Sequence, residues 1–313
     1  MNELGLVSWI VGRNASRLAR DVKVGPGDDC AVLASDGDGD LHFTIDEVVE
    51  GTHFRLSGAG GGPRASGIDV GYKALAAAVS DLAAMGAEPV AAVAAAALRK
   101  GRAGGLGKAI YEGLTRAARA TGCPLVGGNV AQTDGAQSVS VAALGRTPCG
   151  TGVLRAGARA GDVLFVTGRL GGSILGRHLR PTPRLAEGRA CRESGVVRAM
   201  MDISDGLSLD LARLVKASGV GALVDGDAVP VSPDAVKLGR KTGRAALEHA
   251  LNDGEDYELL FAVSASGVRR FERAWRFETA LTRIGEVVPR AKGLAVRVGG
   301  KTRRMKAEGF AHL

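Results

Sequence analysis

Several aspartates occupy places where a carboxylate is seldom left idle. In Val24-Gly-Pro-Gly-Asp-Asp-Cys-Ala-Val-Leu33, a Gly-Pro-Gly turn delivers Asp28 and Asp29 side by side into an apolar run. Glycine lets the chain turn tightly and proline fixes one dihedral, so the two acids are held in place. Adjacent carboxylates repel, and a cation is the natural guest of such a pair. The ordinary alternative is a polar turn with two solvated acids. Asp46 closes the apolar strand Leu41-His-Phe-Thr-Ile-Asp46. Asp81 is the only charged residue between Ala74 and Ala87, in a segment that reads as a helix apolar on all sides. Such a helix is buried, and a lone carboxylate within it must be paired, protonated or metal-bound. Asp202 and Asp205 flank Ile203-Ser204 where an apolar run turns into a helix. Ser204 or Asp205 as an N-cap accounts for one of these polar residues but leaves Asp202 unexplained. A cation with oxygen ligands suits carboxylates placed in this way.

The elements that must position these acids follow from the spacing of apolar residues. Residues 4–20 have helical spacing, and residues 68–86 form the clearest helix in the chain. Strands are expected at 30–33, 41–46 and 90–98, a helix at 106–120, a strand from Pro124 ending in the double glycine Gly127-Gly128, and another at 138–144. Asp36-Gly-Asp-Gly-Asp40 has a calcium-loop composition without EF-hand spacing and reads as a hairpin turn. Proline, glycine and polar residues cluster over 147–162, which divides the chain into domains 1–150 and 151–313. The second half opens with a buried strand at 163–168 and a glycine-rich turn, Gly168-Arg-Leu-Gly-Gly-Ser173, of the kind that can cradle an anion before a helix. Arg180-Pro-Thr-Pro-Arg184 is rigid and extended. Asn252-Asp-Gly-Glu-Asp-Tyr-Glu258 is a polar knot, read by default as solvated acids, leading into the strand 259–263. Further strands are expected near Ile284 and Leu294.

Composition bounds the partners. A chain of 313 residues exceeds the usual size of one core, and 45% hydrophobic with 24% charged residues is ordinary for a globular protein. The four cysteines (Cys30, Cys123, Cys149, Cys191) form no close pair and read as reduced thiols of a cytoplasmic protein. No signal peptide is apparent, and no apolar run reaches the roughly 20 residues of a membrane helix. A net charge of +8 invites a nucleic-acid reading. The arginines are scattered, however, and 4% aromatics leaves almost no platforms for stacking bases. The dense basic stretch 290–306 alternates with apolar residues, as an exposed strand does.

In identity and order, these motifs resemble those of thiamine-monophosphate kinases, of the aminoimidazole-ribotide-synthetase-like superfamily of ATP-dependent enzymes. The resemblance is carried by Gly27-Asp-Asp-Cys-Ala-Val-Leu33, Asp46-Glu-Val-Val-Glu-Gly-Thr-His-Phe54, Lys73-Ala-Leu with Ser80-Asp-Leu-Ala-Ala-Met-Gly86, and Arg155-Ala-Gly-Ala with Gly161-Asp162. Arg180-Pro-Thr-Pro-Arg184, Asp202-Ile-Ser-Asp-Gly206 and Gly254-Glu-Asp-Tyr-Glu-Leu259 complete it. It implies an α/β (α+β), two-domain AIR-synthetase-like fold whose N-terminal domain pairs with its copy in a homodimer. It also implies several magnesium ions, held by Asp29, Thr44, Asp46, Asp81, Asp202 and Asp205. ATP would contact Tyr111, Gly128, Asn129, Arg155 and Ser204, and thiamine monophosphate His53 and Glu255. No residue is implied as a covalent or acid–base catalyst. The chain departs from the family pattern at Gly127-Gly-Asn-Val-Ala131, where Gly-Gly-Asp-Thr-Thr is usual, and in a tail without the usual Trp. Three readings therefore stand side by side: a thiamine-monophosphate kinase, a related ATP-dependent enzyme with another small substrate, and a non-catalytic nucleotide binder.

Overall fold

Two β-sheets, one from each half of the chain, carry the structure. The computed structural model describes residues 5, 6, 9, 10, 12, 20–35, 37, 39–57, 63–101, 103–148 and 150–310. Of the helix expected over 4–20, residues 5, 6, 9, 10 and 12 are helical, and 20 is a turn; the others lie outside the described residues, as does Cys149. Asp36 and Asp38 of the expected hairpin turn lie outside them too.

The first sheet contains β1 (Val22–Val24), β2 (Ala31–Leu33), β3 (Asp40–Val49), β4 (Glu88–Arg99), β5 (Leu125–Thr133) and β6 (Ser138–Thr147), in the order β1-β2-β3-β6-β4-β5. Its pairings are antiparallel except β4 with β5. Alternating burial along β3 and β6 turns one face toward two helices, α1 (Gly67–Ala84) and α2 (Ala103–Thr121). Ser66 and Asp69 form a reciprocal capping box that starts α1. The two helices touch through glycine: a Cβ on Gly71 would lie 2.0 Å from the Ile110 carbonyl oxygen, and one on Gly113 2.1 Å from that of Ile68. Glycines in mid-helix cost stability, and here they permit the close crossing.

The second sheet contains β7 (Val163–Thr167), β8 (Val197–Asp202), β9 (Gly221–Asp225), β10 (Leu259–Val263), β11 (Leu281–Val288), β12 (Leu294–Val298) and β13 (Lys301–Arg304). Their order is β13-β12-β9-β11-β7-β10-β8, with only β9 and β12 parallel. β7 and β10 are buried throughout, which is why both read as unbroken apolar runs. The helices of this half are α3 (Leu185–Glu193), α4 (Leu207–Ser218), α5 (Pro233–Thr242), α6 (Ala246–Asn252) and α7 (Val268–Ala274). The basic stretch 290–306 supplies β12 and the exposed edge strand β13.

Four local expectations are corrected. β3 continues to Val49, so Asp46 lies inside a strand instead of closing it. Gly127 and Gly128 stand within β5, whose ladder with β4 runs on to Thr133. The turn 168–173 leads into short 3-10 turns, and its amides are already occupied: Gly171 N–H donates to Asp256 (2.8 and 3.0 Å) and Gly172 N–H to Asp253 (3.0 Å). The anion it cradles is the protein's own. At α4 the N-cap is Gly206 (φ 114), and Asp210, from the first turn, accepts from Asp205 N–H (3.0 Å) and Gly206 N–H (3.1 Å). Neither Ser204 nor Asp205 is the cap.

Candidate active site

Helix α1 presents Lys73, Ala77 and Asp81 along one stripe, each four residues from the next, and Ala77 and Asp81 line a cleft between the two halves. The cleft has a volume of about 290 Å³; the first half also contributes Asp46, Glu47, Val48 and His53, and the second Arg155, Asp202, Ser204, Asp205, Arg213, Glu255, Tyr257 and Phe310.

At one end, ligand oxygens of Asp29, Asp81 and Asp202 lie within 4.8 Å of one another. They arrive on the turn before β2, on α1 and at the end of β8. Each has a neutral or cationic escort. Thr44 Oγ1 donates to Asp81 (2.5 Å), Ser80 Oγ to Asp202 (2.6 Å), and the Arg155 guanidinium to Asp29 (2.6 Å). Asp28 turns away to accept from the backbone N–H groups of Asp29 (3.0 Å) and Arg155 (3.2 Å). Burial, with repulsion from Asp46, Asp202 and Asp29, drives the Asp81 carboxyl well above its ordinary range. Burial and Asp29 do the same to Asp202, and burial with Asp29 raises Asp28 to about 6. Burial would lower the Arg155 pKa, but Asp29 and Asp28 outweigh it and hold the guanidinium firmly charged.

The donor set fits a hard divalent cation. All ligand atoms are carboxylate oxygens, and the buried Asp29 Oδ2 has no hydrogen-bond partner. One bound cation would offset the repulsion that, with burial, raises Asp81 and Asp202.

At the other end, His53, Glu255, Tyr257 and Phe310 face the cleft. His53 Nδ1 accepts from Val49 N–H (3.0 Å), and its ring centroid lies 6.1 Å from that of Phe310. Glu255 and Tyr257 hold left-handed backbones (φ 54 and 51), a strained choice for non-glycine residues and one that recurs at binding sites. The tail reaches the cleft because Met305 N–H bonds Leu294, Glu308 bonds Ser208, and Phe310 N–H bonds the Asp205 carbonyl (3.0 Å).

Comparison with known sequences decides the family. Residues 27–147 match the AIR synthase related protein, N-terminal domain, and 166–297 the AIR synthase related protein, C-terminal domain. Thiamine-monophosphate kinase of Rhodopirellula baltica is 39% identical over 318 residues, covering 99% of this chain and 97% of that protein. That of Salmonella typhimurium is 39% identical over 283 residues, covering 83% and 82%. The chain belongs to the thiamine-monophosphate kinase family. A solved structure of AaThiL complexed with AMPPCP and TMP is 30% identical, with a TM-score of 0.83, covering 100% of this chain and 97% of that one. Thiamine monophosphate kinase from Aquifex aeolicus matches at a TM-score of 0.77 and 30% identity, covering 96% and 98%.

Of the residues that the kinase resemblance singled out, Asp46, His53, Asp81, Arg155, Asp202, Ser204, Asp205 and Glu255 line the cleft, and Asp29 and Thr44 touch residues that do. Asp205 lies apart from the triad, held by Arg213, which also binds Asp210 (2.8 Å). Tyr111, Gly128 and Asn129 do not line it. Tyr111 is exposed on α2, and strand pairing puts Asn129 in one row with Ala95, Ser140 and Glu47, so three strand spacings, about 14 Å, separate it from Glu47 at the cleft. Sequence reasoning gave no role to Lys73, Arg213 or Phe310. Lys73 carried a signal, as the only Lys or Arg in the helical segment 68–86; Phe310 did not, because its position depends on how the tail folds back.

Proposed function

We propose that this protein transfers the γ-phosphate of ATP to the phosphate of thiamine monophosphate, giving thiamine diphosphate and ADP. The observation that carries the reading is one cleft joining a carboxylate triad to a pocket of aromatic, imidazole and carboxylate groups, in a chain of this family. The family's AaThiL has been solved with AMPPCP, whose methylene replaces the β–γ oxygen of ATP, and TMP. Both substrates are anions, so each needs its charge offset.

Asp29, Asp81 and Asp202, with Asp46 and Asp205 farther along the same cleft, would hold magnesium, which when bound neutralises phosphate oxygens and aligns them. Arg155 stands beside the triad with the reach to contact a phosphate, and Ser204 adds a hydroxyl. In the transfer, the bond from the γ-phosphorus to its bridging oxygen breaks, ADP leaves with that electron pair, and a terminal oxygen of the acceptor phosphate bonds to the phosphorus. A phosphate monoester has a second pKa of about 6, so the attacking oxygen is already deprotonated at neutral pH. No general base is required, in keeping with a cleft whose remaining work is orientation. His53, Glu255 and Phe310 form the acceptor end: an aromatic face and a carboxylate suit a cationic heteroaromatic ring.

The chain is read as two domains, 1–150 and 151–313, and as a homodimer. The outer face of the first sheet leaves Phe43, Ile45 and Val93 exposed and apolar. A two-fold axis parallel to the strands would stack β3 of one copy over β5 of the other, giving Gly128 and Asn129 a route to a nucleotide in the facing cleft. Incubation with magnesium, ATP and thiamine monophosphate should yield thiamine diphosphate and ADP in equal amounts. ADP formed without dependence on thiamine monophosphate would overturn the reading. Sedimentation should give a dimer that Ile45→Glu dissociates.

A further inference from the structure

Lys73 is completely withdrawn from solvent, and it is a cation. Its Nζ donates to the carbonyl oxygen of His53 (2.7 Å) and to Glu255 Oε1. The first partner belongs to the loop after β3 in the N-terminal half, and the second to the Gly254–Glu258 turn in the C-terminal half. These are the two segments that form the acceptor end of the cleft. We infer that Lys73 is a positioning residue for the acceptor: one buried ammonium ties the His53 loop and Glu255 together across the domain boundary and fixes their spacing. The inference deepens the kinase reading and rests on it for the identity of the acceptor.

Three observations support the tether. Glu255 adopts a left-handed backbone (φ 54) between Gly254 (φ 71) and Asp256, a conformation that must be held by its surroundings. Its backbone N–H donates to the Ser204 carbonyl (2.6 Å), and its side chain keeps 20% exposure, so the carboxylate is held from behind by Lys73 and open toward the cleft in front. Balancing the charge from behind also matters for an anionic acceptor. An uncompensated carboxylate in the cleft would repel the phosphate, whereas one neutralised by a buried ammonium still accepts a hydrogen bond.

The second consideration is direction. Lys73 and Asp81 lie eight residues apart on one stripe of α1, or about 12 Å along the helix axis. One helix therefore fixes both ends of the cleft: the carboxylate triad through Asp81 and the acceptor wall through Lys73. Disturbing the Lys73 end should leave the nucleotide end in place.

The test compares wild type with Lys73→Met, which fills the same space without the charge, Lys73→Gln, Glu255→Gln, and the double variant Lys73→Met/Glu255→Gln. Kinetics should show KM for thiamine monophosphate raised at least tenfold in Lys73→Met, with KM for ATP and AMPPCP affinity within twofold of wild type. Because Lys73 acts through Glu255, the double variant should be little worse than Glu255→Gln alone. Equal losses for both substrates, or fully multiplicative losses in the double variant, would overturn the inference. Hydrogen exchange supplies a readout that needs no turnover. The amides of Gly51, His53, Glu255 and Tyr257, all hydrogen-bonded here, should exchange at least tenfold faster in Lys73→Met and in Lys73→Gln. Unchanged exchange in both segments would also overturn it. Wild-type protein inert toward thiamine monophosphate would sink the kinase reading, and the exchange rates would then decide the tether by themselves.

Discussion

Asp81→Asn isolates what the carboxylate triad costs and what it supplies. In the metal-free protein, Asp29, Asp81 and Asp202 hold oxygens within 4.8 Å of one another. With an effective dielectric of about 20, each fully charged pair at that distance repels by about 3.5 kcal/mol. Asparagine at position 81 removes two of these pairs while keeping an acceptor for the Thr44 hydroxyl. Solvent reaches the cleft and protonation relieves part of the strain, so we expect a gain of about 3 kcal/mol, or roughly 6 °C in Tm, in EDTA at pH 8. The sign follows from linkage. Burial and the neighbouring acids raise the Asp81 carboxyl in the folded protein above the ordinary 3.8, so the folded state binds the proton more tightly than the unfolded one. The contribution of Asp81 to wild-type stability is therefore lost as pH rises above about 4, and the advantage of the variant should grow from near zero at pH 4 toward pH 8. Magnesium should stabilise wild type and not the variant, and turnover should vanish. Urea titrations with and without magnesium, at pH 4.5 and pH 8, measure all of this. An advantage that does not change with pH, or a variant still stabilised by magnesium as wild type is, would refute the reasoning.

Three other outcomes can be stated. Burial, aided by Arg192 and opposed by Asp40, lowers His42 from 6.5 to about 4, so its contribution is complete above about pH 6.5 and falls by up to about 3 kcal/mol as pH drops to 4. His42→Gln should flatten the urea midpoint between pH 7 and pH 4.5. Arg184 binds both oxygens of the buried Glu258 at 2.5 and 2.7 Å, so Arg184→Met should cost about 3 kcal/mol in thermal unfolding by leaving that carboxylate with only Thr167. Asn129→Asp should lower the magnesium midpoint for ATP turnover in the dimer, and an unchanged midpoint would remove Asn129 from the nucleotide side.

The sequence made the acids legible because each broke a pattern. Asp81 interrupts an apolar helix and Asp202 ends a buried strand, and both meet in the triad with Asp29. Glycine and acid composition alone was a poorer guide. Gly168–Ser173 looked like an anion cradle, yet its amides bind Asp256 and Asp253, a pairing between segments that no local pattern records. The acids of 253–258 looked solvated, but burial and partners such as Arg177, Arg184 and Lys73 make most of them structural, and burial raises Asp256 to about 7. The cap on α4 was misread because Asp210 reaches back from inside the helix. Phe310 was invisible as a site residue, since its place depends on hydrogen bonds to Ser208 and Asp205, distant in sequence.

The polar ties between the two halves of the chain bear on how kinases of this family can be recombined. Lys73 meets Glu255, Ser80 meets Asp202, and Asp29 meets Arg155, each pair joining the first half to the second. A chimaera that exchanges halves between relatives would inherit one member of every pair from each parent. Hybrids that keep all three pairs should express as soluble protein with an intact cleft. A mismatch would strand a buried charge or hydroxyl and cost more than many surface differences together, so sequence identity between parents would predict success less well than agreement at these six positions.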